Sequence, residues 1–102
     1  SEALELRDGR GKPVLIHPVV VHEVMDDARV AAWQLVEEVD RLRLLVVASP
    51  DEGAVDAAVL ATLTETLGRH DVVVPPISLE VVDGIDREPS GKIMTVKPRR
   101  HS

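Results

Sequence analysis

The spacing of apolar residues along the chain changes several times, and each change predicts an element. Leu4-Glu5-Leu6-Arg7 alternates apolar and polar, as a half-buried strand does. Asp8-Gly9-Arg10-Gly11 follows with hairpin-turn chemistry, and Val14-Leu15-Ile16 reads as the returning strand. Pro18 then stands where a helix can begin. Val20, Val21, Val24 and Met25 keep helical spacing as far as Asp27. From Val30 to Val39 the period returns to two, with Val30, Ala32, Gln34 and Val36 on alternate sites. Asp40-Arg41 is a tight connection to a further strand, Leu42 to Ala48. There Leu42, Leu44, Val46 and Ala48 share one face and Leu45 and Val47 the other. A strand apolar on both faces belongs in the middle of its sheet.

Ser49-Pro50-Asp51-Glu52 predicts the start of a second helix, with Ser49 or Asp51 as its cap. Val55, Val59, Leu63 and Leu67 form its stripe, and Gly68 is placed to end it. Pro75-Pro76 fixes an extended approach to a third main strand, Ile77 to Val82, and Ile93 to Val96 adds a short edge strand. Lys97 to Ser102 reads as loose. No internal repeat or linker divides the chain. The expected fold is α+β: a small sheet of about three main strands packed by two helices, with an N-terminal β-hairpin.

Composition narrows what this fold can do. A chain of 102 residues makes one domain, 1–102, with room for a modest core but not for a deep substrate pocket as well. Trp33 is the one aromatic residue, so the core is aliphatic and base-stacking platforms are lacking. With no cysteine, disulfides and thiolate chemistry are excluded, which fits a cytoplasmic setting. Apolar runs such as Val19-Val20-Val21 fall far short of the roughly 20 residues a membrane span needs. Residues 1–86 hold 7 Lys/Arg against 17 Asp/Glu, a balance of −10, whereas residues 87–102 balance at +4. The basic end suits an anionic partner, but the acidic body argues against nucleic acid.

Candidate chemistry therefore concentrates in Gly84-Ile85-Asp86-Arg87-Glu88-Pro89-Ser90-Gly91-Lys92-Ile93. Glycine before Lys92 permits a tight turn that holds up a compact cation. By spacing alone Lys92 is either that cation or an incidental surface lysine. It is not a phosphate-binding P-loop: Gly84 and Gly91 are seven apart rather than five, and Ile93 follows the lysine where Ser or Thr is required. His17, His22, His70 and His101 lack metal-site spacing, so no metal is expected. Asp26-Asp27 and Glu37-Glu38 read as solvated surface, because adjacent side chains diverge. Ser90 has no visible base partner, and Trp33 reads as a packing residue.

Arg87-Glu88-Pro89-Ser90-Gly91-Lys92-Ile93 resembles the last core motif of the adenylate-forming enzymes, the acyl-CoA synthetases and their relatives. Gly11 to Pro18 and the strand from Val30 to Gln34 resemble the family's hairpin and the strand after its first helix. His17-Pro18 and Trp33-Gln34 look most like the phenylacetate–CoA ligase branch. The resemblance implies that this is the small C-terminal lid domain of an ATP-dependent acid–CoA ligase. Its partner would be a large N-terminal adenylation domain that binds ATP and a carboxylic acid, aromatic in that branch. The parent enzyme would use ATP with Mg and coenzyme A, and after rotation about a hinge a different face of the lid would help thioester formation. It assigns Lys92 to the carboxylate and α-phosphate charge during adenylation, and Arg87, Ser90 and Gly91 to the loop around it. Glu88 stands where the family has threonine, and Thr95 where arginine is frequent. The family's hinge residue falls before residue 1 and the large domain is outside this chain, so the isolated chain is expected to be inert and to hold no cofactor. The alternative is a stand-alone α+β interaction or anion-binding regulatory module.

Overall fold

In the computed structural model, residues 3–51 and 53–99 are described. β1 (Leu4–Arg7) and β2 (Pro13–Ile16) pair antiparallel, Leu4 opposite Ile16 and Leu6 opposite Val14. Cross-strand partners share a face. Leu4, Leu6 and Ile16 accordingly enter the core while Leu15, opposite Glu5, stays 71% exposed.

His17 and Pro18 start α1 (Pro18–Asp26). The imidazole Nδ1 of His17 accepts the N–H of Val19 at 3.1 Å, and Pro18 occupies the first turn, where its missing N–H costs nothing. Val21, Val24 and Met25 are its buried stripe. Arg29, in the left-handed region at φ +54°, turns the chain out of the helix.

β3 (Val30–Glu37) and β4 (Leu42–Ala48) are antiparallel neighbours at the centre of a four-stranded sheet ordered β5-β4-β3-β6. α2 (Ala58–Gly68) carries the chain from β4 to β5 (Ile77–Val81), which lies parallel to β4, as a helical crossover requires. A short edge strand is present but shifted along the chain: β6 (Val96–Lys97), parallel to β3, keeps only Val96 of the expected Ile93 to Val96 and takes in Lys97, expected to be loose. Leu35, Leu42, Leu44, Val46 and Val96 form one face, fully buried with Leu63 and Leu67 of α2 and the stripe of α1. The fold is the expected α+β arrangement.

Three local expectations are corrected. The buried side of β3 carries Leu35 and Glu37, not the Ala32-Gln34-Val36 set. A register shift between Val30 and Ala32 lets Val30 pack on the core while Gln34 and Val36 turn to the opposite face. α2 starts after, not at, Ser49-Pro50-Asp51. No side chain of Ala57 caps it, and Asp56 Oδ1 instead accepts the N–H of Ala58 at 2.8 Å. Gly68 is the last helical residue and not a left-handed cap; the left-handed position is Asp71, φ +60°.

Glu37 is the fourth correction. It is only 9% exposed, and its carboxylate accepts two main-chain N–H groups, Glu5 to Oε1 at 2.8 Å and Arg99 to Oε2 at 3.1 Å. A buried carboxylate needs such donors. Glu37 thus ties the hairpin, the end of β3 and the segment after β6 together. Its neighbour Glu38 does face solvent, paired with Arg41 at 2.8 Å and Arg43 at 3.3 Å.

Candidate functional site

β5 and β6 lie on opposite edges of the sheet, so the chain between them must cross it. It does so over the face that the helices leave open, where Gln34 and Leu45 sit opposite one another. Gln34 Nε2 donates to the Met94 carbonyl at 2.9 Å. At the far end Leu35 N–H donates to the Thr95 carbonyl at 2.8 Å. Thr95 Oγ1 lies 2.9 Å from His22 Nε2 on α1, and that imidazole packs edge-on to Trp33, centroids 4.9 Å apart. The crossing segment is therefore fastened to β3 and α1 immediately after Lys92. Gln34, Leu45, Ile85 and Met94 line a cleft of about 840 Å³ beside it, rimmed by Arg87, Lys97 and Arg99 and by Asp86 and Glu88.

Before those fastenings the backbone makes a closed turn. Glu88 N–H donates to the Lys92 carbonyl and Gly91 N–H to the Glu88 carbonyl, both at 2.8 Å. Pro89 supplies the fixed φ suited to the second position of such a turn. Gly91 stands at φ +88°, a conformation that side-chain-bearing residues rarely adopt. Arg87 Nη1 donates to the Gly91 carbonyl at 3.0 Å, so the guanidinium braces the turn from within.

Lys92 follows at the exposed end of this turn, and no hydrogen bond or ion pair joins its side chain to the described residues. Ser90 is exposed at the tip. The structure thus brings Arg87, Ser90, Gly91 and Lys92 into one small unit. Its chemical capacity is to present one ammonium group and free N–H donors to an anionic oxygen. Among the described residues no three His, Cys, Asp or Glu side chains converge as a metal site. A second cleft, about 530 Å³, lies between the end of α1 and the loop leading into α2, lined by residues remote from Lys92 in sequence.

One relation escaped the sequence reading although its signal was there. Arg7-Asp8-Gly9-Arg10-Gly11-Lys12 repeats the spacing of Arg87-Glu88-Pro89-Ser90-Gly91-Lys92. It also repeats the turn: Asp8 N–H to the Lys12 carbonyl at 2.9 Å, Gly11 N–H to the Asp8 carbonyl at 3.0 Å, Arg7 Nη1 to the Gly11 carbonyl at 3.1 Å, and Gly11 at φ +81°. By contrast, His22 and Glu37 carried no sequence signal, because their partners lie 73, 32 and 62 residues away.

Compared with known proteins, the chain matches no family model and no curated protein.

Proposed function

We infer that this chain is the C-terminal lid domain of a cytoplasmic, AMP-forming acid–CoA ligase of the phenylacetate–CoA ligase type. Its task is to supply Lys92 to the carboxylate and α-phosphate oxygens while the acyl-adenylate forms. The observation that carries the reading is Lys92 itself: an exposed ammonium without a partner among the described residues, on a turn that Arg87 and Gly91 hold in shape. A cation kept free of carboxylates in a chain of net charge −6 is ready for an external anion. The motif resemblance over Arg87–Ile93 and Gly11–Pro18 supplies the reaction class.

The division of labour follows from what the residues can hold. ATP, its Mg and the acid would be bound by the large partner domain, as the motif resemblance implies. The lid adds a positive charge where negative charge gathers, and its effect grows as closure excludes water. The fastenings at Met94 and Thr95 keep the far end of the crossing segment from moving independently of the sheet. Lys92 therefore travels with the domain as a rigid body. Coenzyme A would enter the later thioester step.

The test uses the enzyme that joins this domain to its adenylation domain. Lys92→Ala lowers acyl-adenylate formation by about 10²-fold or more, the scale of losing one charge-stabilising donor. Conversion of supplied acyl-adenylate to thioester is much less affected. Equal loss in both half-reactions overturns the reading.

A further inference from the structure

The two matching turns differ in what meets two of their main-chain N–H groups. In the first, the Asp8 carboxylate folds back over its own turn, and Oδ1 accepts the N–H of Arg10 at 2.8 Å and that of Lys12 at 2.9 Å. Two main-chain donors thus converge on a single anionic oxygen. The equivalent donors of the second turn are the N–H groups of Ser90 and Lys92. Neither has a hydrogen-bond partner among the described residues. The equivalent acid is Glu88, and it bonds to neither. A turn of this kind needs the short aspartate side chain to accept from the N–H two residues further on; the extra methylene of glutamate spoils that fit. Since main-chain bonds, arginine brace and glycine conformation agree between the turns, Ser90 and Lys92 N–H converge on the same place that Asp8 occupies in the first.

We propose that the main-chain N–H groups of Ser90 and Lys92 form an open cradle for one oxygen of a carboxylate or phosphate, the seat that the Asp8 carboxylate fills in the first turn. Successive N–H groups around a left-handed residue are a recurrent anion-binding concavity. Here the cradle fixes where the oxygen sits, and the Lys92 ammonium, on its flexible stem, neutralises the same anion. Lys92 so acts twice, through its backbone as a positioning group and through its side chain as a charge. This deepens the reading of the Lys92 turn given above and rests on it for the identity of the anion as acyl carboxylate or α-phosphate. The cradle itself rests only on the comparison of the two turns. Asp86, Arg87, Glu88 and Lys92 balance in charge, so a free anion binds weakly and the cradle selects only when a ligand is brought to it.

Amide proton resonances of the 102-residue chain, titrated to high concentration with sodium acetate and separately with inorganic phosphate, provide the test. The Ser90 and Lys92 amide protons move downfield and saturate, while those of Arg10 and Lys12, already occupied, do not. A response to acetate alone assigns the seat to carboxylate oxygens, and a response to phosphate alone to phosphate oxygens. Two substitutions exchange the behaviour. Asp8→Ala makes the Arg10 and Lys12 amides responsive. Glu88→Asp silences Ser90 and Lys92 with the charge of the turn unchanged, because the shortened acid now reaches the seat. Lys92→Ala weakens the response without abolishing it. The proposal is overturned if Ser90 and Lys92 respond no more than Arg10 and Lys12, if Glu88→Asp leaves their response intact, or if Lys92→Ala removes it entirely. An anion-silent turn with the adenylation loss described above refutes the cradle and leaves the functional reading; a responsive turn without that loss does the reverse.

Discussion

Gly91 shows how much of the turn depends on one backbone angle. At φ +88° with no atom within 4 Å of where a Cβ would be, a side chain there meets no neighbour and only the conformation resists it. Gly91→Ala is expected to destabilise the chain by about 1 kcal/mol, the cost of a left-handed alanine, and Gly91→Asn by less. Urea unfolding monitored through Trp33 measures both. Glu37 is the opposite case, a residue defined wholly by its contacts. Glu37→Gln turns an amide NH₂ toward a main-chain N–H that now lacks an acceptor, at a cost of about 1–3 kcal/mol in the same assay. The motif around Lys92 was legible because turn chemistry is local: Pro89, Gly91 and the arginine brace all act within five residues. Glu37 was read as surface because nothing in its neighbourhood announces donors from Glu5 and Arg99.

At the scale of elements, β4 and α1 were legible and the start of α2 was not. Leu42, Leu44 and Val46 declare their face by strict alternation, and Pro18 marks the helix start by the needs of a first helical turn. Ser49-Pro50-Asp51 has good capping chemistry, yet the chain continues through a loop with Gly53 at φ +73° before it coils. Capping residues mark where a helix can begin, whereas packing of Val59, Leu63 and Leu67 decides where it does. The consequence is measurable. Asp56→Ala removes the acceptor of the Ala58 N–H and should lower stability by about 1 kcal/mol, while Asp51→Ala changes it by less than about 0.5 kcal/mol. A larger effect at Asp51 in chemical denaturation would return the cap to the position the sequence suggested. β3 was legible as a strand but not by face, since a register shift near Val30 is invisible in a run as mixed as Val30-Ala31-Ala32-Trp33-Gln34.

Over the whole molecule, charge on the open face couples the sheet to pH. Arg43 binds Glu80 through Nε at 2.6 Å and Nη2 at 3.1 Å, and reaches Glu38 at 3.3 Å, joining β4, β5 and the turn after β3. The hydrogen bond from Arg43 holds the Glu80 carboxyl below the ordinary value of 4.5, and that from Arg41 does the same for Glu38. A carboxyl whose value falls on folding adds stability above its unfolded value. That stability is lost as pH falls through the lowered folded value. The contribution should therefore be complete above pH 4.5 and disappear below it. Thermal melts across this range should show a steeper acid loss for the unaltered chain than for Arg43→Met. Because these groups face solvent, added salt should shrink the difference.

The two-residue strand β6 has a consequence for how the protein comes into being. Each bond that secures the Lys92 segment spans most of the chain: Gln34 to Met94 across 60 residues, His22 to Thr95 across 73, Glu37 to Arg99 across 62. The hairpin, the β3–β4 pair and the crossover to β5 all join nearer parts of the sequence. Long loops close late, after short-range pairing has reduced the entropy still to be lost. Lys92 is thus expected to take up its place late in folding, after the nearer pairings around Val96 have formed. A chain still emerging from the ribosome would have its scaffold before its cation.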